Sequence, residues 1–405
     1  MAEKLRTVLV LASTFPRWEA DTEPRFVFDL CVRLQGSFNV ILLAPHARGA
    51  QEREIMEGIR VHRYRYAPAR LERIAYAGGI VANLKKNKAN LLLLPFFFLA
   101  QGFAIWKLLR SNDVDVIHAH WLLPQGLLAV VSRAFSKSSP PILCTSHGGD
   151  LFGLRDPLST SLKRWVIKRC EGLTTVSSAM AEKVSELAND MPLNLHVIPM
   201  GTDLNRVFVT NPYRDRKSNQ LLFVGRLVPK KGLIHLIEIL PKIKAEYPDV
   251  SLNIVGLGPE KNRLVERIAE LDLEKVVVFL GSLSHTELKN LYQESSLAVF
   301  PFVEADDGDM EGLGLVTVES LGCSCPVVVG DVPAVKDVIE DEETGLIVDV
   351  RDANAFEAAV GRMLSDQSWA GKTASKGNEF VIGSFDWSIV ASKYDKLLHD
   401  MTMEF

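Results

Sequence analysis

An α/β architecture of two doubly wound domains is predicted by three observations. The chain has 405 residues, beyond the size at which one hydrophobic core keeps growing, so two domains of about 200 residues each are expected. Short β-branched and leucine-rich runs recur with helix-like stretches between them, the pattern of parallel sheets covered on both faces. Charge also divides unevenly: residues 1–203 carry 25 basic and 18 acidic side chains, net +7, and residues 204–405 carry 21 and 32, net −11. The two halves are therefore expected to meet different partners.

In the first half the strand-like runs are TVLVLA (7–12), NVILLA (39–44), DVIHAH (115–120), PILCTS (141–146), GLTTVS (172–177) and LHVIPM (195–200). In the second they are QLLFVG (220–225), SLNIVG (251–256), KVVVFLG (275–281), SLAVFP (296–301) and CPVVVG (325–330). The predicted domains are 1–203 and 220–383, joined by a hinge at 204–219 that lacks a sustained period, contains Asn-Pro and ends in charges. Residues 384–405 hold Trp387, Val390, Tyr394, Leu397 and Leu398 at roughly helical spacing and are expected to pack on the body as a terminal helix.

Three features bear on location. Five cysteines (Cys31, Cys144, Cys170, Cys323, Cys325) are too irregularly spaced for a disulfide framework or a zinc site and fit a reducing cytoplasm. The N-terminus enters a strand pattern directly, without a secretory signal pattern, so export is not expected. The run Asn90–Trp106 is apolar, but Pro95 is read as interrupting it, which leaves it short of the ~20 residues a spanning helix needs. Residues 59–110 carry ten basic side chains against one acid, Glu72. Such a segment is either a core helix with a solvated basic face or a peripheral contact with an anionic membrane surface.

In open α/β sheets, ligands bind beyond the carboxyl ends of strands, so residues just after strands rank first. FVGRLVPKKG (223–232) places Arg226 at a strand end and Lys231 just before Gly232, which opens a helix. Cations beside a helix N-terminus form a receptor for phosphate, and a diphosphate would suit it. In PFVEADDGDMEGLGLVTVES (301–320) a strand ends at Pro301 and a helix begins near Gly314. Glu311 is expected on the loop and Glu319 on the helix. The amides near Gly314, Leu315 and Val316 would add a second anion site. A carboxylate can accept two hydroxyl hydrogen bonds in a fork, so the pair could hold a sugar at one end of a nucleotide and ribose at the other.

These two stretches resemble the retaining nucleotide-sugar glycosyltransferases of family 4. The donor signature reads Glu311-Gly-Leu-Gly-Leu-Val-Thr-Val-Glu319, followed by SLGCSCPVVVGDVPAVKDVI, and the phosphate signature GRLVPKKG. DVIHAHW, TSHGGDL, TVSSAM, VIPMGTDL, LNIVGLGPE, VVFLGSLSHTEL and TGLIV follow the family's order along most of the chain. The resemblance implies a GT-B fold, two Rossmann-like domains facing each other across a cleft, with an N-terminal acceptor-binding and a C-terminal donor-binding domain. It implies that Arg226 and Lys231 hold the donor diphosphate. It also implies that Glu319 binds ribose, Glu311 the donor sugar, and the backbone around Leu283 the base. His147 matches the family histidine near the transferred sugar, and His120 and Asp150 are acceptor-side candidates. The implied activity is transfer of a hexosyl group with retention, from a UDP- or GDP-sugar to a saccharide or lipid-linked acceptor, in polysaccharide or glycolipid synthesis. No cofactor or metal and no nucleic acid is expected. A nucleotide-sugar epimerase and a noncatalytic nucleotide-binding scaffold are the alternatives.

The chain departs from the family at 13–26, STFPRWEADTEPRF, where many relatives carry paired glycines. The insertion VEADDGDM before Glu311 resembles relatives that build bacterial polysaccharides on carrier lipids. Asp307-Gly-Asp309 and Asp113-Val-Asp115 have metal-binding spacing but are read as acidic-loop coincidences. Gly256-Leu-Gly258 lacks the rest of a dinucleotide fingerprint, since Pro259 and Asn262 follow. His118 and His120 are expected on opposite faces of their strand.

Overall fold

The computed structural model describes residues 5–404 apart from Ala20, Thr22, Ala77, Ser138 and Asp190. The side chain of Lys85, one of the basic residues singled out above, and two residues of the 13–26 loop therefore lie outside the described part. The chain divides into two compact units, Met1–Met200 with Val390–Phe405, and Gly201–Ile389.

The first unit is built on strands β1 (Arg6–Leu11), β2 (Phe38–Pro45), β3 (Arg53–Met56), β4 (Ile59–Tyr64), β5 (Val116–His120), β6 (Ile142–Ser146), β7 (Gly172–Thr175) and β8 (Leu195–Val197), in the order β3-β4-β2-β1-β5-β6-β7-β8. All pairs are parallel except β3 with β4. Val8 faces Val40 on one side and Val116 on the other, and from Val8 onward β1 is buried on both faces. That is why these strands read as unbroken apolar runs rather than as alternation.

The hairpin β3–β4 was not anticipated and makes the edge of this sheet antiparallel. Its two-residue turn uses Glu57 at φ 44° and Gly58 at φ 87°, the primed geometry that matches strand twist. The strands alternate, with Ile59, Val61 and Arg63 inward. Arg63 is buried because Pro16 O, Gln51 O and Glu54 receive its guanidinium.

The second unit has a six-stranded, all-parallel sheet of β9 (Lys217–Val224), β10 (Ser251–Val255), β11 (Val277–Gly281), β12 (Ser295–Phe300), β13 (Val327–Gly330) and β14 (Leu346–Val348), ordered β11-β10-β9-β12-β13-β14. The chain starts at β9, winds outward to β11, then returns to β12. Between β9 and β12 the order reverses, and their carboxyl ends open a crevice. The helix Leu233–Glu246 covers one face through Leu233, Leu236, Ile237, Leu240 and Ile243. β14, only three residues long, was also missed from sequence.

The segment 204–219, read as a hinge, is anchored within the second unit. Leu204 and Phe208 are buried, and a methyl group at Gly322 would strike Leu204 Cδ2 at 2.5 Å and Phe208 O at 2.8 Å. Arg216 then joins two helices at their C-terminal ends. It donates to Tyr292 O (2.7 Å) in the last turn of the helix His285–Glu294 and to Ser295 O (2.7 Å) just after it, and to Cys323 O (3.0 Å) and Ser324 O (2.7 Å) after the helix Leu315–Gly322. A cation there complements both helix dipoles and satisfies carbonyls that have no intrahelical donor. The final helix, Trp387–Glu404, runs back into the first unit, where Tyr394 Oη donates to Ile198 O at 3.2 Å.

Candidate active site

In the second unit the sequence dictates a tight exit from β9. Gly232 adopts φ 62°, and a methyl there would overlap Pro301 O at 1.8 Å. Only glycine lets the turn Pro229–Lys231 press against the end of β12. The aliphatic stem of Lys231 consequently passes over Gly225, whose added methyl would meet Lys231 Cδ and Cε at 3.5 Å. Lys231 Nζ lies 4.6 Å over the Phe302 ring and 2.7 Å from Glu311 Oε2. Two residues far apart in sequence thus close as an ion pair, with 12% and 16% of their side chains exposed. Arg226 follows Gly225 directly and is exposed at the strand exit.

Glu311 is flanked by a second cation. Lys230 Nζ binds Asp309 Oδ1 at 3.1 Å and Met310 O at 3.0 Å, which fixes the VEADDGDM insertion against the β9 exit. Asp309 is thereby a partner of lysine; its triplet mate Asp307 accepts from the Asp309 amide at 3.2 Å. Burial would raise the Glu311 pKa, but Lys231 and Lys230 outweigh it and hold the carboxyl at about 2. It is ionised at neutral pH.

Gly314, at φ 84°, caps the helix Leu315–Gly322, so the amides of Leu315 and Val316 have no carbonyl one turn back to bind. Glu319 projects from the next turn. Burial pushes its pKa up to about 7, although the Tyr292 hydroxyl, 3.2 Å from Oε2, and the charge on Lys231 pull it down. The two signature carboxylates thus titrate far apart because two lysines outweigh the burial of Glu311, whereas a phenol and the charge on Lys231 only partly offset that of Glu319. Leu283 lies in the short loop between β11 and Ser284, whose capping box with Glu287 opens the helix bearing Tyr292. The structure therefore brings Lys231 and Glu311 into contact, with Lys231 also acting electrostatically on Glu319, while Arg226 stands at the exit of β9, five residues before Lys231. Sequence reasoning missed Phe302, Tyr292 and Arg216. Phe302 directly follows the strand-ending Pro301, a signal that was available.

In the first unit, β5 ends at the corresponding reversal of strand order, between β1 and β5. His118 and His120 do not point to opposite faces: residues two apart share a face, and their rings lie 4.2 Å apart. His120 Nδ1 and His147 Nε2 are 2.9 Å apart, with near-parallel rings. Burial holds His118 and His147 at about 3 and His120 well below the usual range, so all three are neutral. Among the described residues His120 Nε2 is buried without a partner. An orphaned lone pair costs less than an orphaned N–H, which assigns the proton to His120 Nδ1 and makes His147 Nε2 the acceptor. The His147 proton then resides on Nδ1.

Phe26 and Trp121 flank His147, with ring centroids 5.0 and 4.9 Å away. Trp121 sits at φ 77°, a strained position for a non-glycine residue. Asp150 is buried and accepts from Leu122 N (2.6 Å), Ser146 Oγ (2.9 Å) and His147 N (3.3 Å). Burial raises its pKa, and those donors pull it back. It ties the exits of β5 and β6 together. The glycine-free loop brings Phe26 to the histidine, while Arg17 within it pairs with Asp21 at 2.6 Å.

Residues 210–380 match the family model described as glycosyl transferases group 1, and residues 24–206 match glycosyltransferase family 4. The chain is 28% identical over 291 residues to a glycogen synthase of Mycobacterium tuberculosis, covering 70% of this chain and 68% of the relative. It is 26% identical over 302 residues to a GDP-mannose-dependent alpha-(1-6)-phosphatidylinositol monomannoside mannosyltransferase of Mycolicibacterium smegmatis, covering 72% and 78%. The sucrose-phosphate synthase of Thermosynechococcus elongatus superimposes with a TM-score of 0.80 at 21% identity over 99% of this chain and 100% of that one. Anabaena HepE, solved with UDP and glucose, gives 0.73 at 16% over 98% and 100%. At these identities the structural likeness establishes the GT-B fold.

Proposed function

Since this chain belongs to the group 1 glycosyltransferases, with a family 4 N-terminal half, we propose that it transfers a hexosyl group, with retention, from a UDP- or GDP-sugar to a saccharide or lipid-linked acceptor. The observation that carries this reading is the ion pair of Lys231 with Glu311 at the β9–β12 reversal, where Lys231 also acts on Glu319. Arg226, Lys231 and the amides at Gly314, Leu315 and Val316 receive the diphosphate. Glu311, ionised and fixed by lysine, accepts hydroxyls of the sugar. Glu319 accepts those of ribose, and the backbone at Leu283 meets the base.

During transfer the bond from the anomeric carbon to the diphosphate oxygen breaks and a bond to the acceptor oxygen forms on the same face. The acceptor proton passes to the departing diphosphate. Charge accumulating on that leaving group is stabilised by Arg226 and Lys231, preorganised before reaction, without a metal. His147 orients the transferred sugar through its neutral Nδ1–H, and Asp150 holds the loop that presents it.

The test is a donor screen by mass spectrometry over a panel of UDP- and GDP-sugars, with thermal shifts as a binding readout and turnover followed with and without a chelator. One donor giving both a shift and slow hydrolysis, unaffected by the chelator, is expected. Conversion of the donor into another nucleotide sugar without acceptor would instead establish an epimerase. Turnover that survives both Glu311→Ala and Lys231→Ala would overturn the assignment of the site.

A further inference from the structure

The segment Lys88–Ser111 forms a 3-10 turn, Lys88–Leu93, running into the helix Leu94–Ser111. Pro95 does not interrupt it: it occupies the first turn, where a missing amide costs nothing. One face is core. Phe97, Gln101 and Ile105 are fully buried, Phe97 against the rings of Tyr64 and Tyr66, and Gln101 Oε1 accepts from Tyr64 Oη at 3.1 Å. The opposite face is apolar and open to solvent: Leu92 is 76% exposed, Phe96 59%, Leu99 71% and Phe103 61%. These recur at helical spacing as a single stripe, and exposed Lys88 precedes it while exposed Lys107 and Arg110 continue it at the same spacing. From residue 73 to residue 112 the sequence contains no aspartate or glutamate and six lysines and arginines.

We propose that this face docks the enzyme on an anionic lipid surface, the helix lying in the plane of the interface. The apolar stripe inserts among acyl chains while the cations at either end reach headgroup phosphates. The helix is long and apolar enough to cross a bilayer, but crossing would strip Gln101 from Tyr64 and Phe97 from its tyrosines, so the molecule lies on the membrane rather than through it. Charge selects the occupant: an acid-free belt around an exposed apolar row is complementary to phosphate headgroups. This inference does not depend on the donor assignment, since vesicle binding needs no turnover.

Flotation of the full-length chain with vesicles of phosphatidylcholine alone, or of equal parts phosphatidylcholine and phosphatidylglycerol, tests it. Partition into the anionic vesicles is expected, weakening with added sodium chloride and dropping roughly fivefold for each cation removed at Lys86, Lys88, Lys107 or Arg110. The triple substitution F96S/L99S/F103S should abolish it while circular dichroism stays unchanged. If that variant misfolds, K86E/K88E, on exposed side chains, carries the test. No flotation with anionic vesicles, or flotation undiminished in a folded variant, would overturn the proposal. So would a lipid-independent dimer that F96S/L99S/F103S dissociates, which would make the occupant a second copy of the chain.

Discussion

Replacing Glu319 by glutamine separates a ligand-binding carboxylate from a merely tolerated one. In the folded chain burial raises this carboxyl from 4.5 to about 7. Between those values the native state holds a proton that the unfolded chain has lost. The associated stability is complete below pH 4.5 and is lost as pH rises through 7. The shift corresponds to about 3 kcal/mol, so Glu319→Gln, permanently neutral and nearly isosteric, should be more stable than the wild type at pH 8 by up to that amount and indistinguishable near pH 4. Nucleotide binding should run the other way. If ribose hydroxyls bind the carboxylate, its ionised fraction rises from roughly one tenth at pH 6 to nine tenths at pH 8, and wild-type affinity for UDP or GDP should climb about tenfold. The glutamine variant should show only the titration of the nucleotide itself. Urea unfolding and isothermal titration calorimetry at both pH values measure the two effects. Parallel affinity profiles for the two proteins would refute the role given to Glu319, and parallel stability profiles would refute the raised pKa.

Lys231→Met should weaken UDP or GDP binding by about 10- to 100-fold, the loss of a charged hydrogen-bond donor to phosphate, read by calorimetry. Arg216→Met strands four carbonyls and should cost at least about 3 kcal/mol, read by urea unfolding of the second unit. Asp150→Ala removes the acceptor of two backbone amides and one hydroxyl and should cost about 2–4 kcal/mol, with a fall in turnover larger than any change in nucleotide affinity because His147 loses its support.

Much of the architecture was legible because buried parallel strands have an unmistakable composition: β2 is nearly all apolar, and β1 and β12 each end in four apolar residues. β3 and β4 hid because Arg53, Arg60 and Arg63 dilute the apolar signal and the Glu57-Gly58 turn lacks the usual asparagine or aspartate. The histidine pair was misplaced by parity, since a strand repeats every two residues and His118 and His120 must share a face. In the site, Lys231 and Glu311 emerged from motif resemblance, but their contact depends on the close passage of Gly232 by Pro301, which no local pattern announces. The splitting of the two glutamate pKa values needed the burial of Glu319 and the approach of Lys230 to Glu311, both set by tertiary packing. Arg216 was unreadable for a simpler reason: its partners are main-chain oxygens more than 70 residues away, and carbonyls leave no trace in sequence.

That guanidinium has a mechanical consequence. By clasping the ends of two helices it turns them into one rigid piece, so Tyr292 cannot drift from Glu319 without tearing bonds at both ends. Lysine at 216 would conserve the charge yet lose the clasp, because one ammonium has three donors on a single atom and cannot span acceptors fanned across two chain ends. The spacing between phenol and carboxylate, and with it the acidity of the group assigned to ribose, is set by a side chain that touches neither of them and binds main-chain oxygens instead.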